Sequence, residues 1–271
     1  MINKFEIEKT EASELRKYAD KTHNITALNF LKEHNGLRPK KMHLFLGVPS
    51  GGKSTLRNTI IYDFAINNPT KRIFLWLSEE TIEDFKSDIS RNEKLFKSIG
   101  NLFIFSESEN LKKFKIRRES RDFFEECCLK SNADLFIFDN ITTSRLYGNT
   151  PAEQEDFSNE IKTIIANANL AGIIFAHTSS GIKQGQKSQI QIMDIRGNRN
   201  IVSLAEFGYV LQGFNLKGRK YNTITIHKNR GVNIEESRFA LDYDASLQIY
   251  RQSYILDFDD YKKMFSKQES V

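Results

Sequence analysis

Short runs of apolar residues recur along the chain, separated by longer stretches whose apolar positions have helical spacing. Five runs predict β-strands: MHLFLG (42–47), IFLWL (73–77), LFIF (102–105), LFIFD (135–139) and GIIFAH (172–177). The intervals predict helices at about 53–67, 81–91, 110–130 and 151–169. Strands that are apolar throughout are typical of a parallel sheet covered on both faces, so the order predicts a doubly wound α/β fold.

The pattern changes after residue 177. A stretch rich in Gln, Ser, Gly and Lys (178–200) is too long for an ordinary connection and predicts a functional loop. The segments YVLQGF, YNTITIHK, ESRFALDYD and LQIYR then alternate like antiparallel strands. We therefore expect an antiparallel meander at the C-terminal edge of the mostly parallel sheet. The predicted division is a helical arm or linker at 1–38, one α/β domain at 39–255 and a tail at 256–271.

Composition narrows the class of protein. With 271 residues, 39% of them hydrophobic, the chain has enough apolar material for one sizeable core. Its two cysteines, Cys127 and Cys128, are adjacent and too few for a disulfide framework or a cysteine metal site. The N-terminus has no apolar signal segment and no run is long enough to span a membrane, so we expect a cytoplasmic protein without a membrane partner. A net charge of +5 permits a polyanionic partner without requiring one.

The segment GVPSGGKS (47–54) matches the phosphate-loop pattern GxxxxGK[ST] in full, between a predicted strand and a predicted helix. Small residues let backbone N–H groups surround phosphate oxygens at a helix N-terminus, and the lysine adds a positive charge. The hydroxyl after the lysine is a magnesium ligand in such loops. The predicted nucleotide-binding residues are Gly47, Pro49, Ser50, Gly51, Gly52, Lys53, Ser54 and Thr55.

Two further acidic positions follow predicted strands. Asp139 ends LFIFD, and with Ser54 it is predicted to hold Mg²⁺ at the carboxyl edge of the sheet. Because Asn140 and not a glutamate follows it, a catalytic base must come from elsewhere. Glu79 and Glu80 follow the second strand and reach the same edge, where one can deprotonate an attacking water. The alternative is that both belong to the first turn of the next helix, where acids complement the helix dipole.

Taken together, GVPSGGKST, the carboxylate in LSEE, the DN of LFIFDN and the later KNRG resemble the RecA-like ATPase superfamily over roughly residues 37–249. The similarity is closest to the motor domain of DnaB-type hexameric replicative helicases, with RadA- and KaiC-like ATPases as near relatives. The resemblance implies a RecA-like sheet, ATP and Mg²⁺ as cofactors, and a homo-oligomer that forms a hexameric ring. The segment at about 8–33 is then a candidate arm for docking on a neighbouring subunit.

The resemblance also implies roles for individual residues. The base falls on Glu79 by register, with Glu80 as its partner in double-glutamate members. His177, at the end of GIIFAH, takes the place of a polar γ-phosphate sensor; the alternative is an ordinary hydrogen-bonded histidine. Lys228 and Arg230 take the places of a lysine sensor and an arginine finger that reach a neighbour's nucleotide, unless they form a solvated turn.

The loop after residue 177 corresponds to the central loops with which ring helicases grip single-stranded DNA. The resemblance assigns that role to Lys183, Lys187, Arg196 and Arg199. The loop lacks aromatic residues, which favours contacts to phosphates without base stacking. A basic loop that binds no partner is the alternative.

Three functions remain open on the sequence. The first is a compact DnaB-like ring helicase that hydrolyses ATP and acts on single-stranded DNA in replication. The second is a regulatory or recombination ATPase of the KaiC or RadA type. The third is an assembly protein that uses ATP to close its ring and does not unwind DNA.

Overall fold

The computed structural model describes residues 23–32, 36–90, 99–110, 116–179, 189–216, 219–230 and 237–255. In these residues one sheet is formed by β1 (Met42–Gly47), β2 (Ile73–Leu77), β3 (Leu102–Ser106), β4 (Leu135–Asp139), β5 (Ala171–His177), β6 (Phe207–Leu216), β7 (Arg219–Asn229), β8 (Arg238–Asp244) and β9 (Ile249–Ile255). The helices are α1 (Asn29–Lys32), α2 (Lys53–Asn67), α3 (Ile82–Ser90), α4 (Glu107–Asn110), α5 (Arg117–Lys130), α6 (Pro151–Asn167) and α7 (Asn200–Leu204). Short 3₁₀ turns lie at Ile141–Thr143 and Ile192–Asp194.

The strand order is β3-β2-β4-β5-β1-β6-β7-β8-β9. Strands β1 to β6 pair in parallel, whereas β6, β7, β8 and β9 pair with one another in antiparallel fashion. The predicted fold class, a doubly wound and mostly parallel sheet with a C-terminal antiparallel meander, is therefore confirmed. Gly47, at the end of β1, lies between His177 of β5 and Leu211 of β6.

The two faces of the sheet explain why the strand sequences are almost continuously apolar. Alternate residues face opposite sides of a strand. Leu44 and Trp76 belong to the hydrophobic cluster on one face, whereas Phe45 and Leu75 belong to the cluster on the other, and all four are fully buried. Helices cover both faces, so neither set of side chains reaches solvent.

Residues of the stretch 23–32, together with Leu37, pack into the second of these clusters. Leu28, Phe30, Leu31 and Leu37 are buried there, beside residues of α2 and the meander. The carboxylate of Asp63 in α2 accepts hydrogen bonds from the backbone N–H groups of residues 26 and 27, at 2.9 and 2.8 Å. The end of the predicted arm is thus tied to the helix that follows the phosphate loop.

The rest of the predicted arm, 1–22, and the predicted tail at 256–271 lie outside the described residues. The domain boundaries stay predictions. No helix in the described part of the chain is long and apolar enough to cross a membrane.

Candidate active site

Strands β1, β2, β4 and β5 end at the same edge of the sheet, where the structure has a cavity of about 410 Å³. Its volume is within the usual range for a small-molecule site. The lining comes from the loop after β1, from the start of α2 and from residues at or just after the ends of the other three strands. The lining residues are Ser50, Gly52, Lys53, Ser54, Thr55, Arg57, Glu79, Glu80, Asp139, Asn140 and His177.

The loop between β1 and α2 has the backbone of an anion-binding turn. The N–H of Gly51 donates to the carbonyl of Val48 at 3.0 Å, and Gly52 has a φ of 97° as the residue preceding α2. No side chain caps α2 in the part of the chain that is described, which leaves its first N–H groups for a ligand. Glycine is required at position 52, because a Cβ there would lie 2.7 Å from the hydroxyl of Tyr250.

Lys53 is folded back onto this loop. Its Nζ donates to the carbonyls of Gly47 at 3.0 Å and Val48 at 2.8 Å. Burial lowers the pKa of Lys53 to about 8, although Asp139 and Glu79 act in the opposite direction. The lysine and its neighbouring carboxylates therefore face the same cavity, as the phosphate-loop motif predicts.

Ser54 and Asp139 are the predicted metal ligands, and both line the cavity. The side chain of Ser54 is exposed to the cavity, and Oδ2 of Asp139 accepts a hydrogen bond from Arg57 at 2.7 Å. Hydroxyl and carboxylate oxygens are the donors that Mg²⁺ takes from proteins, so this pair fits the ion. Its role as a metal site stays a prediction.

The two adjacent glutamates have different surroundings. Oε1 of Glu79 lies 3.2 Å from Nε2 of His177, and the Glu79 side chain is 52% exposed. Oε2 of Glu80 forms an ion pair with Nη1 of Arg57 at 2.7 Å, and its side chain is 27% exposed. The hydrogen bond from His177 is the main cause that holds the pKa of Glu79 below its usual range. Glu79 is thus the glutamate available to a ligand.

Neither glutamate caps the helix that follows. The Thr81 hydroxyl accepts a hydrogen bond from the N–H of Asp84 at 3.0 Å, which is an N-cap interaction for α3. The acids in the first turn of α3 are Glu83 and Asp84. The alternative that Glu79 and Glu80 serve the helix start therefore has no support from the geometry.

Asn140 contacts the same nitrogen of His177 as Glu79 does, so that Nε2 accepts from Asn140 when it carries no proton and donates to Glu79 when it carries one. The amide Oδ1 accepts from the hydroxyl of Thr142 at 2.7 Å and from the N–H of Thr143 at 3.2 Å, which turns Nδ2 toward Nε2 of His177 at 2.7 Å. The sequence interpretation used Asn140 as part of the DN motif and as the residue that stands where a glutamate is missing, and gave it no contact with His177. Its contact with His177 depends on a turn after β4 that brings together residues far apart in the chain, and the sequence carries no direct signal for it.

Arg57 is the second residue that the sequence interpretation missed. It is fully buried, lines the cavity, and contacts both Glu80 and Asp139. A signal was present: Arg57 lies four residues after Lys53, next to Leu56 on the face of α2 that also carries Ile60. A cation on a buried helix face requires an acidic partner.

Lys228 and Arg230 do not reach this cavity in their own chain. Nζ of Lys228 donates to the carbonyls of Val202 at 2.5 Å and Ser203 at 2.8 Å, and Nη2 of Arg230 donates to Ser203 at 2.7 Å. Arg230 bonds to the segment beside Met42, where β1 begins. The phosphate loop follows the opposite end of β1, about 16 Å away at about 3.3 Å per residue.

The basic residues predicted to bind DNA are only partly described. Lys183 and Lys187 lie outside the described residues. Arg196 and Arg199 are exposed, and the N–H of Arg196 donates to the carbonyl of His177 at 2.9 Å. Arg196 is therefore held beside the last residue of β5.

Comparison with known proteins gives matches to solved structures. No protein-family model matches the chain, and no curated protein matches it. The crystal structure of a KaiC-like protein from the hyperthermophilic archaeon Pyrococcus horikoshii superposes with a TM-score of 0.64, over 87% of this chain and 98% of that chain. The chain has a RecA-like fold. At 13% sequence identity the RecA-like fold is all that this similarity shows, and the closer resemblance to DnaB-type helicases stays a prediction.

Proposed function

We propose that this RecA-like chain is an ATPase. The observation that supports this proposal is that a phosphate loop, a lysine, two candidate metal ligands, a half-exposed glutamate and a histidine from four strand ends surround one cavity of about 410 Å³. The similarity to a KaiC-like protein agrees with this class of activity. The reaction is hydrolysis of the terminal phosphoanhydride, in which ATP and water give ADP and phosphate.

Each residue then has a separate task. The N–H groups of the phosphate loop and Lys53 bind the β- and γ-phosphates, for which Lys53 exchanges its carbonyl partners for phosphate oxygens. Ser54 and Asp139 would hold Mg²⁺, which would neutralise phosphate charge when bound. Glu79 orients the attacking water and takes its proton, and His177 contacts the γ-phosphate. Because His177 also contacts Glu79 and Asn140, its movement toward phosphate releases the base.

Replacement of Lys53 tests the proposal directly. Lys53→Ala removes the charge next to the transferred phosphate, so we expect a loss of ATP turnover of at least about a hundredfold. The measurement is the phosphate release rate of folded protein, with circular dichroism as the check on folding. Near-normal turnover in the folded variant would end the ATPase proposal.

We also infer that the active form is an assembly of identical subunits, and we propose that this assembly is a hexameric ring. The position of Lys228 and Arg230 supports this, since they lie about five strand residues, or about 16 Å, from their own phosphate loop. In an assembly the same two residues can reach the nucleotide of a neighbour, as the resemblance implies. Their bonds to the C-terminal carbonyls of α7 then fix the direction in which they project.

For the biological role we propose a compact DnaB-like motor that acts on single-stranded DNA in replication. The support is the pair of exposed arginines, Arg196 and Arg199, on a loop that is anchored to the backbone of His177. His177, which is proposed to contact the γ-phosphate, and the loop that carries Arg196 and Arg199 would then move together. Stimulation of ATP turnover by single-stranded DNA and strand displacement from a tailed duplex are the two tests.

A regulatory or recombination ATPase of the KaiC or RadA type is the second candidate, and the similarity to a KaiC-like protein favours it. Stimulation by DNA without strand displacement would support that candidate. Turnover that depends on assembly and ignores DNA would instead support an assembly protein. The rate of ATP turnover with and without DNA is therefore the first measurement to make.

A further inference from the structure

Arg57 is a fully buried arginine whose guanidinium bridges two carboxylates of the candidate site. Its Nη1 lies 2.7 Å from Oε2 of Glu80 and 2.7 Å from Oδ2 of Asp139. Nε donates to Oδ1 of Asn58 at 3.0 Å, and the ring of Phe85 lies 5.0 Å from the guanidinium carbon. The carboxylates, Asn58 and Phe85 together therefore fix the orientation of the Arg57 guanidinium.

The remaining nitrogen is not satisfied. Nη2 of Arg57 is buried and has no hydrogen-bond partner among the described residues. A buried N–H group without a partner is unfavourable, so the arginine keeps this position at a cost in stability.

The other charged residues that line the cavity indicate why a positive charge is needed at Arg57. Three carboxylates, Glu79, Glu80 and Asp139, line the same space that the proposed function fills with a triphosphate. Without Arg57, Lys53 would be the cation among the lining residues opposite these three carboxylates. Like charges at short range repel strongly where water is excluded, so the site needs a further positive charge.

We propose that Arg57 is a positioning residue that supplies this charge, an inference that rests on the proposed ATPase function. Its guanidinium holds Oδ2 of Asp139 in place and offsets part of the negative charge of Asp139 and Glu80 in the absence of a metal ion. Phosphate groups can then enter the cavity without Mg²⁺, and the ion binds to a carboxylate that is already oriented. The arginine does not contact the bond that breaks and takes no proton.

The test is an equilibrium measurement of ATP affinity by dialysis, once with Mg²⁺ and once with EDTA. The informative quantity is the ratio of the dissociation constant in EDTA to that in Mg²⁺. In Arg57→Met we expect this ratio to rise at least about tenfold over wild type, because only the metal can then offset the carboxylates. Arg57→Lys keeps the charge and is expected to return the ratio toward the wild-type value.

A purely structural arginine predicts a different result. Loss of packing would weaken ATP binding in Mg²⁺ and in EDTA by the same factor and leave the ratio unchanged. An unchanged ratio in folded Arg57→Met would therefore overturn the proposal. If wild type and Lys53→Ala bind ATP equally weakly, the ATPase proposal itself fails, and the inference fails with it.

Glu80→Gln provides a second variant in case Arg57→Met does not fold. Because the Glu80 side chain is partly exposed, its replacement should leave the chain folded, in contrast to a change at a fully buried position. It removes one carboxylate and leaves Arg57 to Asp139 alone, so we expect the ratio to fall about threefold or more. A ratio that rises or stays the same in Glu80→Gln would contradict the role of Arg57 as a built-in cation.

Discussion

At the scale of single residues, two adjacent glutamates occupy different chemical environments. Glu80 forms an ion pair with Arg57, whereas Glu79 has a histidine as its partner. A base must be free to accept a proton from water, and a carboxylate that is committed to a buried guanidinium is a poor acceptor. The environment therefore favours Glu79.

We accordingly expect Glu79→Gln to bind ATP and to hydrolyse it about a hundredfold more slowly, which is the usual scale for a positioned base. Glu80→Gln is the matched control and should slow turnover by less than about tenfold. The measurements are ATP affinity and single-turnover hydrolysis. If only the Glu80 variant is slow, the assignment of the base is off by one residue.

The residues that the sequence could predict are those that belong to local motifs. Lys53, Ser54 and Asp139 follow from a loop pattern and from the ends of apolar runs, and all three line the cavity. Arg57 and Asn140 could not be assigned in this way. Their roles depend on partners that approach from other strands, such as Asp139, which lies 82 positions after Arg57.

At the scale of elements, strands buried on both faces were predicted best. β1, β2 and β4 have the predicted bounds, because every residue in them is apolar or buried. The helix predicted for 110–130 was only partly right: Glu107–Asn110 forms a separate short helix, and α5 begins at Arg117. The side chain of Glu107 explains the early turn, since it points into the core and not along a solvent-exposed helix face.

Glu107 joins the end of β3 to the segment that follows β4. Its carboxylate accepts from Nε1 of Trp76 at 2.6 Å, from the hydroxyl of Ser144 at 2.5 Å and from the N–H of Arg145 at 3.0 Å. Burial nevertheless raises the pKa of Glu107 above its ordinary value of 4.5. The ionised form is thus bound by three donors in a site that is otherwise unfavourable for charge.

We expect Glu107→Gln to lower the free energy of unfolding by about 1–3 kcal/mol, because a donor amide would face donor groups. The effect should be larger at pH 5 than at pH 7. A raised folded-state pKa means that the wild type loses stability as the pH rises above 4.5, whereas glutamine does not titrate. Urea denaturation of both proteins at the two pH values measures this, and an effect that grows with pH would contradict the direction of the shift.

At the scale of the whole molecule, the stretch at residues 178–200 follows the last residue of β5 at the candidate active site and carries the basic residues proposed to bind single-stranded DNA. Replacing Lys183, Lys187, Arg196 and Arg199 with alanine should weaken binding of single-stranded DNA and flatten its salt dependence by about 0.7 in log–log slope for each phosphate that is no longer neutralised. Basal ATP turnover should change little. Lys130→Ala, at the end of α5 and before β4 begins, is the control. An unchanged slope in the fourfold variant would locate the DNA elsewhere.

Arg230, which lies away from its own phosphate loop, leads to a prediction about assemblies that mix wild-type and variant subunits. If Arg230 acts on a neighbour, each Arg230→Ala subunit disables a site other than its own. Activity of wild type mixed with increasing Arg230→Ala should then fall more steeply than simple dilution, because an added cation of this kind is worth about 10³ to 10⁵ in rate. A linear decline, or full activity in a demonstrably monomeric sample, would contradict action between subunits.

The distance between Arg230 and its own phosphate loop also bears on how many sites can work at once. When a site is completed by the next subunit, an open row of n copies always leaves one terminal nucleotide without its arginine, and only closure of the row completes all n. Turnover per subunit should therefore depend on the length of the row and reach its full value at closure. A single chain would bind nucleotide as well as any other and release almost no product, so binding and turnover would have different concentration dependences.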